Sequence, residues 1–186
     1  MRIVGGRLRG RVLTGPSSQA VRPTSDRLRE TIFNILAHAY DDPVSGARVI
    51  DLFAGTGGLG LEALSRGAKL ALFVDNGSEA RALLRSNVEA LGLGGEVRIL
   101  RRDATKLGEM PPQEPFTLAF LDPPYSKGLA PSALIGLRDG GWLAPGALCV
   151  VEEAEEVELP SGFTRIESRD YGESRLVFAR FEHVEG

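Results

Sequence analysis

A glycine-rich turn carries the first chemical signal in this sequence. Residues 55–60 read Gly-Thr-Gly-Gly-Leu-Gly, directly after an apolar segment typical of a strand and before a segment with helical periodicity. Asp75 follows twenty residues after Gly55, at the end of the next apolar segment. Glycines bring the backbone close to a ligand, and a carboxylate at the second strand end accepts hydrogen bonds from ribose hydroxyls. The pattern predicts a site for an adenosine-containing ligand, NAD included; the competing interpretation is a turn that only packs strand on helix.

Two further acids indicate which adenosine-containing ligand the turn favours. Asp51 lies four residues before Gly55, inside the end of the preceding strand. A carboxylate there would repel a pyrophosphate, which a dinucleotide site holds on the amides of a helix N-terminus. It suits a ligand with a positive charge instead, such as the amino group of S-adenosylmethionine. Asp103, at the end of the third predicted strand, is placed to meet an adenine amino group across the same crevice.

Asp122-Pro123-Pro124-Tyr125 forms the second chemical signal. It leaves the fourth predicted strand at its carboxyl end, where doubly wound sheets bind ligands. Two prolines remove two backbone N–H donors, so the Asp122 carboxylate and the Pro123 carbonyl remain as acceptors. Two acceptors can hold the hydrogens of an exocyclic amine and turn its lone pair toward an electrophile, while Tyr125 stacks on the base. The competing interpretation is a rigid polar turn with Tyr125 as rim packing.

The elements that must position these residues alternate along the chain. From Arg48 onward, short apolar segments alternate with segments of helical periodicity. The predicted strands are 49–53, 70–74, 97–100, 116–121 and 148–151, and a closing hairpin covers 163–169 and 175–181. The predicted helices start at Thr24 or Ser25 as N-cap, after the glycine-rich turn, at Ser78 as N-cap, and at Ala130.

Nearly continuous apolar strands predict a parallel sheet buried between helix layers. The fold class is therefore α/β: a Rossmann-like, doubly wound, mostly parallel seven-stranded sheet with an antiparallel C-terminal hairpin strand. A small basic hairpin extension precedes it. We predict this extension over residues 1–22 and the main domain over residues 23–186.

The charge of the chain is unevenly spread. The net charge is -3, from 22 Lys and Arg against 25 Asp and Glu, yet residues 1–29 hold seven Arg and one acid. This N-terminal part therefore carries +6 and the rest carries -9. Alternation of apolar residues and Arg around Gly5-Gly6 predicts a short hairpin or irregular strand. A basic arm on an acidic body favours a polyanion as partner; the competing interpretation is a solvated edge strand.

Composition excludes several other classes of protein. One Cys and two His leave no disulfide framework and no zinc cluster. No apolar run approaches the roughly 20 residues that span a bilayer, and arginines interrupt the N-terminus, unlike a signal peptide. The expectation is a cytoplasmic monomer without metal or membrane attachment. Ordinary structural roles are predicted for Cys149 and Trp142 (core), His38 and His183 (structural or solvated), Arg29 (an exposed helix charge), and Glu152, Glu153, Glu155 and Glu156 (a solvated strand exit).

The motifs together resemble those of class I S-adenosylmethionine-dependent amino methyltransferases. The segments 2–6, 9–11 and 22–27, which include Arg-Pro-Thr-Ser-Asp-Arg, closely resemble the bacterial RsmD family, and the resemblance covers nearly the whole chain. That family methylates N2 of a guanine in 16S ribosomal RNA, within the small ribosomal subunit. The resemblance implies catalytic roles for Asp122, Pro123, Pro124 and Tyr125. It implies donor contacts from Asp51, Phe53, Gly55, Thr56, Gly57, Gly60, Asp75, Asn76, Asp103, Ala104 and Thr24. It implies RNA contacts from Arg2, Arg7, Arg9, Arg11, Arg22 and Arg27.

Other functions stay open on the sequence. A DNA adenine-N6 methyltransferase shares the Asp-Pro-Pro-Tyr chemistry, although 186 residues leave no separate target-recognition domain. A non-catalytic RNA-binding or assembly factor would use the same fold, although intact Asp51, Asp75 and Asp122 argue against it. An NAD oxidoreductase ranks last.

Overall fold

The computed structural model describes residues 1–15, 25–124 and 128–182. Its elements, in chain order, are α1 (Asp26–Ala39), β1 (Arg48–Leu52), α2 (Gly58–Ser65), β2 (Leu70–Val74), α3 (Ser78–Leu91), β3 (Val97–Leu100), β4 (Phe116–Leu121), α4 (Leu129–Asp139), β5 (Leu143–Glu153), β6 (Phe163–Tyr171) and β7 (Ser174–Phe181). Thr24, Arg22, Tyr125 and His183, which the sequence analysis singled out, lie outside the described residues.

The seven strands form one sheet in the order β3-β2-β1-β4-β5-β7-β6. Strands β1 to β5 pair in parallel, and β7 pairs antiparallel with both β5 and β6. The predicted α/β class and the mostly parallel seven-stranded sheet are confirmed. Chain order reverses between β1 and β4, and this is the switch point at which such sheets bind ligands.

Both faces of the sheet are covered. Side chains of Val49, Phe73 and Phe120 belong to a core shared with α1, α2 and α3. Their neighbours along the strands, such as Ile50 and Val74, point to the other face and pack with α4. The inner strands β1, β2 and β4 and the second half of β5 are therefore buried on both faces, which explains their apolar runs in the sequence. The edge strands β3 and β6 are largely exposed or half-buried.

Several element boundaries differ from the predicted ones for identifiable reasons. Ser25 is the N-cap of α1, as predicted, and its hydroxyl accepts a hydrogen bond from Leu28 N at 3.1 Å. The prediction of Ser78 as the N-cap of α3 is wrong, since Gly77 occupies that position without a side-chain cap. Strand β5 begins at Leu143, not at residue 148, because Leu143 pairs with Phe116 ahead of a register shift. Pro145 and Gly146 lie in that irregular stretch, and both residue types are unfavourable inside a regular strand.

The N-terminal arm, residues 1–15, forms a hairpin-like turn closed by an antiparallel bridge between Arg2 and Val12. Ile3 N donates to Arg11 O at 2.9 Å, and Leu13 N donates to Met1 O at 2.8 Å. Ile3 and Leu13 are almost fully buried in the core that contains α1, α2 and α3. The arm thus presents its arginines outward from an anchored backbone.

Two groups predicted to be solvated are buried. Arg29 is 0% exposed, and Glu152 and Glu153 are 3% and 5% exposed. The glutamates are covered because β5 continues through Glu153 alongside β7. Cys149 is in the core, as predicted, and burial raises the pKa of its thiol to about 12. No helix within the described ranges is long and apolar enough to span a bilayer.

Candidate active site

A cavity of about 210 Å³ opens at the carboxyl ends of the parallel strands, on the β2–β3 side of the switch point. It is lined by Phe53, Val74, Asp75, Asn76, Asp103, Ala104, Thr105, Pro124 and Leu129. Six of these residues were candidates from the sequence, and they follow the ends of four strands, β1 to β4. Sequence reasoning missed Val74, Thr105 and Leu129. Of these, only Thr105 had a signal, since a hydroxyl residue two positions after an aspartate is typical of a turn closed by the carboxylate.

Asp75 fixes the glycine-rich turn to the end of β2. One carboxylate oxygen accepts a hydrogen bond from Gly55 N at 2.9 Å, and the other accepts one from Gly77 N at 2.8 Å. Each carboxylate oxygen has room for two donors, so Asp75 keeps acceptor capacity toward the cavity that it lines. The turn itself needs glycine at position 57, where φ is +84° and a Cβ would lie 2.3 Å from Cδ1 of Leu84.

Asp51 lies beneath the turn and is not among the residues that line the cavity. Its side chain is 1% exposed, and Oδ2 accepts a hydrogen bond from Gly60 N at 3.0 Å, in the first turn of α2. Burial raises the pKa of this carboxyl well above its usual range, and the nearby Asp122 and Asp75 carboxylates raise it further. Asp51 is therefore a buried acid whose ionised form a nearby cation would stabilise.

Asp103 accepts two hydrogen bonds from Thr105 on the same oxygen. The distances from Oδ1 are 2.8 Å to the backbone nitrogen and 2.7 Å to the hydroxyl. These bonds lower the pKa of the Asp103 carboxyl. An ionised acceptor is thus held at the wall of the cavity, at the far end from β4.

The Asp-Pro-Pro segment leaves β4 directly after Leu121. Asp122 is half-buried, Pro123 is buried, and Pro124 is exposed and contributes to the cavity wall. Asp122 follows β4 two residues after Phe120, the residue paired with Asp51 on β1, and its charge contributes to raising the pKa of Asp51. Among the described residues, no group of three or more His, Cys, Asp or Glu side chains is arranged to hold a metal ion.

The exposed arginines of the arm differ in how they are held. The Arg7 guanidinium pairs with Glu96 at 3.2 Å. Arg11 Nη2 donates to Ala90 O at 2.7 Å, and Arg2 Nη1 donates to Gly10 O at 3.0 Å. Arg9 is exposed, and within the described part of the chain it has neither a side-chain hydrogen bond nor an ion pair. Arg27 is exposed on α1.

Arg29 is a buried residue that connects α1 to α2 and to the N-terminal arm, and the prediction of an exposed helix charge is wrong. Its Nε donates to Glu62 Oε1 at 3.0 Å, and its Nη2 donates to Asp26 Oδ1 at 2.9 Å and to the Arg2 carbonyl. Glu62, 0% exposed, also accepts hydrogen bonds from the backbone nitrogens of Val4 and Gly5, each at 2.9 Å. A glutamate in the apolar segment that forms α2 was the signal that could have predicted this buried partner.

Comparison with known proteins places this architecture in a family. Residues 1–180 match the family model described as conserved hypothetical protein 95. The chain belongs to this family. It is the RsmD family, since ribosomal RNA small subunit methyltransferase D of Escherichia coli K12 is 40% identical over 161 residues, which are 87% of this chain and 78% of that protein. The family is one of S-adenosylmethionine-dependent methyltransferases.

Solved structures of related proteins share the RsmD-family fold. The Escherichia coli protein yhhF is 35% identical, with a TM-score of 0.81 over 98% of each chain. An RNA methyltransferase from Salinibacter ruber, solved with S-adenosyl-L-homocysteine, has a TM-score of 0.64 over 89% of this chain and 97% of its own. At 16% identity, that second likeness concerns the fold alone. Its agreement with the present sheet supports the Rossmann-like assignment.

Proposed function

We propose that this protein transfers the methyl group of S-adenosylmethionine to the exocyclic N2 amine of a guanine in 16S ribosomal RNA. The observation that carries the proposal is the position of the Asp-Pro-Pro segment. Pro124 lines the same cavity as Asp75 and Asp103, so an acceptor-rich loop suited to an amine adjoins acids suited to an adenosine. The names of the relatives support ribosomal RNA as the substrate class.

The donor would lie in the cavity with its adenosine toward β2 and β3. Asp75 would accept hydrogen bonds from the ribose hydroxyls, and Asp103 would lie near the adenine amino group. Phe53, Asn76 and Ala104 line the same space. The turn that contains Gly55, Thr56, Gly57 and Gly60 would carry the methionine part over Asp51, whose buried carboxylate would balance the positive amino group.

The target amine would be held by the Asp122 carboxylate and the Pro123 carbonyl. With its two hydrogens directed to these acceptors, the N2 lone pair would face the electrophilic methyl group that bound S-adenosylmethionine supplies, and the sulfonium sulfur would keep the electron pair of the broken C–S bond. The amine then loses one proton, to Asp122 or to water. Orientation of this kind can contribute about 7–11 kcal/mol to lowering the barrier. The family resemblance adds Tyr125 as the stacking partner of the base.

The RNA would approach from the side of the basic arm. A guanine must leave its stack to enter such a pocket, so we expect a flipped or looped nucleotide. Arg9 is the arm arginine most available for a phosphate, since Arg7 and Arg11 already hold Glu96 and the Ala90 carbonyl. Arg2, Arg22 and Arg27 are proposed to complete the contact, and Thr24 to close over the donor. The substrate is proposed to be an assembling or assembled small subunit in the cytoplasm.

The test is methyl transfer from labelled S-adenosylmethionine to small subunits from a strain that lacks this activity. The proposal expects label in N2-methylguanosine after digestion of the 16S RNA. Duplex DNA serves as the parallel substrate. Label in N6-methyladenine of DNA would replace the proposal with the DNA enzyme, and donor binding without transfer to any RNA would indicate a non-catalytic factor.

A further inference from the structure

The N-terminal arm is fastened to α2, the helix that leaves the glycine-rich turn. In the middle of this helix, Glu62 accepts hydrogen bonds from the backbone nitrogens of Val4 and Gly5. Farther along the helix, Ser65 Oγ donates to Gly5 O at 2.6 Å and accepts from Leu8 N at 3.0 Å, and Ser65 O accepts from Arg7 N at 2.9 Å. The turn of the arm is therefore held by hydrogen bonds against the C-terminal half of α2, and we call these contacts with Glu62 and Ser65 the seat of the arm.

The arm is also fastened to α3, through Asn87. This side chain is 2% exposed. Its Oδ1 accepts a hydrogen bond from Thr14 N at 2.7 Å, and its Nδ2 donates to Thr14 O at 3.2 Å. The amide thus pairs with both backbone groups of Thr14, as a neighbouring strand would.

Asn87 makes one more contact, and it is with the glycine-rich turn. Nδ2 donates to the carbonyl of Thr56 at 3.3 Å, and Thr56 is 2% exposed. The other end of the arm reaches the same residue, since the Thr56 hydroxyl lies 3.9 Å from the sulfur of Met1. One buried amide therefore joins the end of the arm to the turn proposed to carry the methionine part of the donor.

We propose that Asn87 is a positioning residue, through which the seating of the arm controls the geometry of the glycine-rich turn and hence the affinity for the methyl donor. The inference rests on the proposed function, because it takes this turn as part of the donor site. RNA that binds the arm and a donor that binds the turn act on the same element, so each changes the affinity for the other by the same factor.

A double-mutant cycle on donor affinity tests this inference without RNA. Gly6→Ala disturbs the seat of the arm, since φ there is +79° and a Cβ would lie 2.0 Å from Ser65 O. Gly10→Ala is the matched control, because φ is +85° but a Cβ would meet no atom within 4 Å. Asn87→Ala removes the link itself, and Ser86→Ala is its exposed neighbour control. Affinity for S-adenosylhomocysteine is measured by calorimetry on the full chain.

We expect Gly6→Ala and Asn87→Ala each to weaken donor binding about 5-fold or more, the lower end of typical coupling between sites. The double variant should bind like Asn87→Ala alone, because the path through which Gly6 acts is already broken. Gly10→Ala and Ser86→Ala should bind like the wild type. Ser65→Ala, which removes two hydrogen bonds to the arm, takes the place of Gly6→Ala if that variant does not fold.

Two outcomes would overturn the inference. One is an unchanged donor affinity in Asn87→Ala, or in both Gly6→Ala and Ser65→Ala. The other is a double variant weakened by the product of the two single effects, about 25-fold or more, since independent effects multiply. A wild-type protein that does not bind S-adenosylhomocysteine would instead refute the proposed function, and this inference with it.

Discussion

Replacement of Asp51 by asparagine tests two expected effects of its buried carboxylate: a lower folding stability and a higher affinity for the methyl donor. The carboxylate is 1% exposed and accepts from Gly60 N at 3.0 Å, and an asparagine oxygen can keep that bond. Burial, with the Asp122 and Asp75 charges, raises the pKa of Asp51 in the folded protein. Between the unfolded and folded pKa values the folded state binds more protons, so stability falls as pH rises through that window. At neutral pH the buried negative charge of Asp51 lowers the free energy of unfolding of the wild type, whereas the neutral asparagine does not.

The magnitude follows from the same linkage. Each unit by which the pKa is raised, up to the pH of the measurement, corresponds to about 1.4 kcal/mol of unfolding free energy. One kcal/mol shifts the melting temperature of a chain of this size by about 2–4 °C. We therefore expect Asp51→Asn to melt about 3–6 °C higher for each pKa unit relieved, with the gain shrinking as pH falls toward the usual carboxyl range.

Donor binding should change in the opposite direction. A charge-assisted contact of about 1.5–3 kcal/mol with the donor amino group would be lost, which is about 10- to 150-fold in affinity for S-adenosylhomocysteine. Methylthioadenosine lacks the amino acid part, and its affinity should not change. Thermal scans from pH 4 to 8 and calorimetry with both ligands measure these effects. A variant that is less stable at neutral pH, or that loses both ligands equally, would refute the reasoning on Asp51.

Three further variants test other parts of the account. Asp122→Asn should lower the single-turnover rate of methyl transfer by about 100-fold or more and leave S-adenosylhomocysteine affinity unchanged; loss of donor binding would show that Asp122 belongs to the donor site. Arg9→Ala should weaken RNA binding and reduce the salt slope by about 0.7–0.9, whereas Arg7→Ala, whose charge already pairs with Glu96, should change the slope less; equal effects would contradict this order. Arg29→Ala should cost about 3 kcal/mol in urea unfolding, the lower end for a broken buried pair, because Glu62 loses its fully buried partner but keeps the partly exposed Arg66 at 2.8 Å; a change within error would show that the pair is not structural.

The central part of the fold was predictable because its strands are buried on both faces. Strands β2 and β4 have the predicted limits, since each is a largely buried apolar run bounded by charged or turn residues. The edge strand β3 also has the predicted limits, although Arg98 interrupts its apolar residues and is exposed. Parallel strands end at one edge of the sheet, so acids that follow different strands were expected to meet there. Asp75 and Asp103 do line one cavity with Pro124.

What could not be predicted depends on contacts between distant parts of the chain. Arg29 has the sequence context of an exposed helix charge, and only the packing of α1 on α2 gives it Glu62, 33 residues away. Glu152 and Glu153 follow an apolar run and resemble a solvated exit, but β7 covers them. Asn87 sits on a helix with an ordinary amphipathic pattern, and its partner Thr14 is 73 residues away. Periodicity cannot reveal such pairs.

The most direct test of the proposed function is to map modified nucleotides in 16S RNA from a strain in which the gene for this protein is deleted. We expect one N2-methylguanosine to disappear in the deletion strain. The wild-type chain should restore it, and a chain carrying Asp122→Asn should not. Full retention of every N2-methylguanosine in the deletion strain, or equal restoration by the Asp122→Asn chain, would contradict the account.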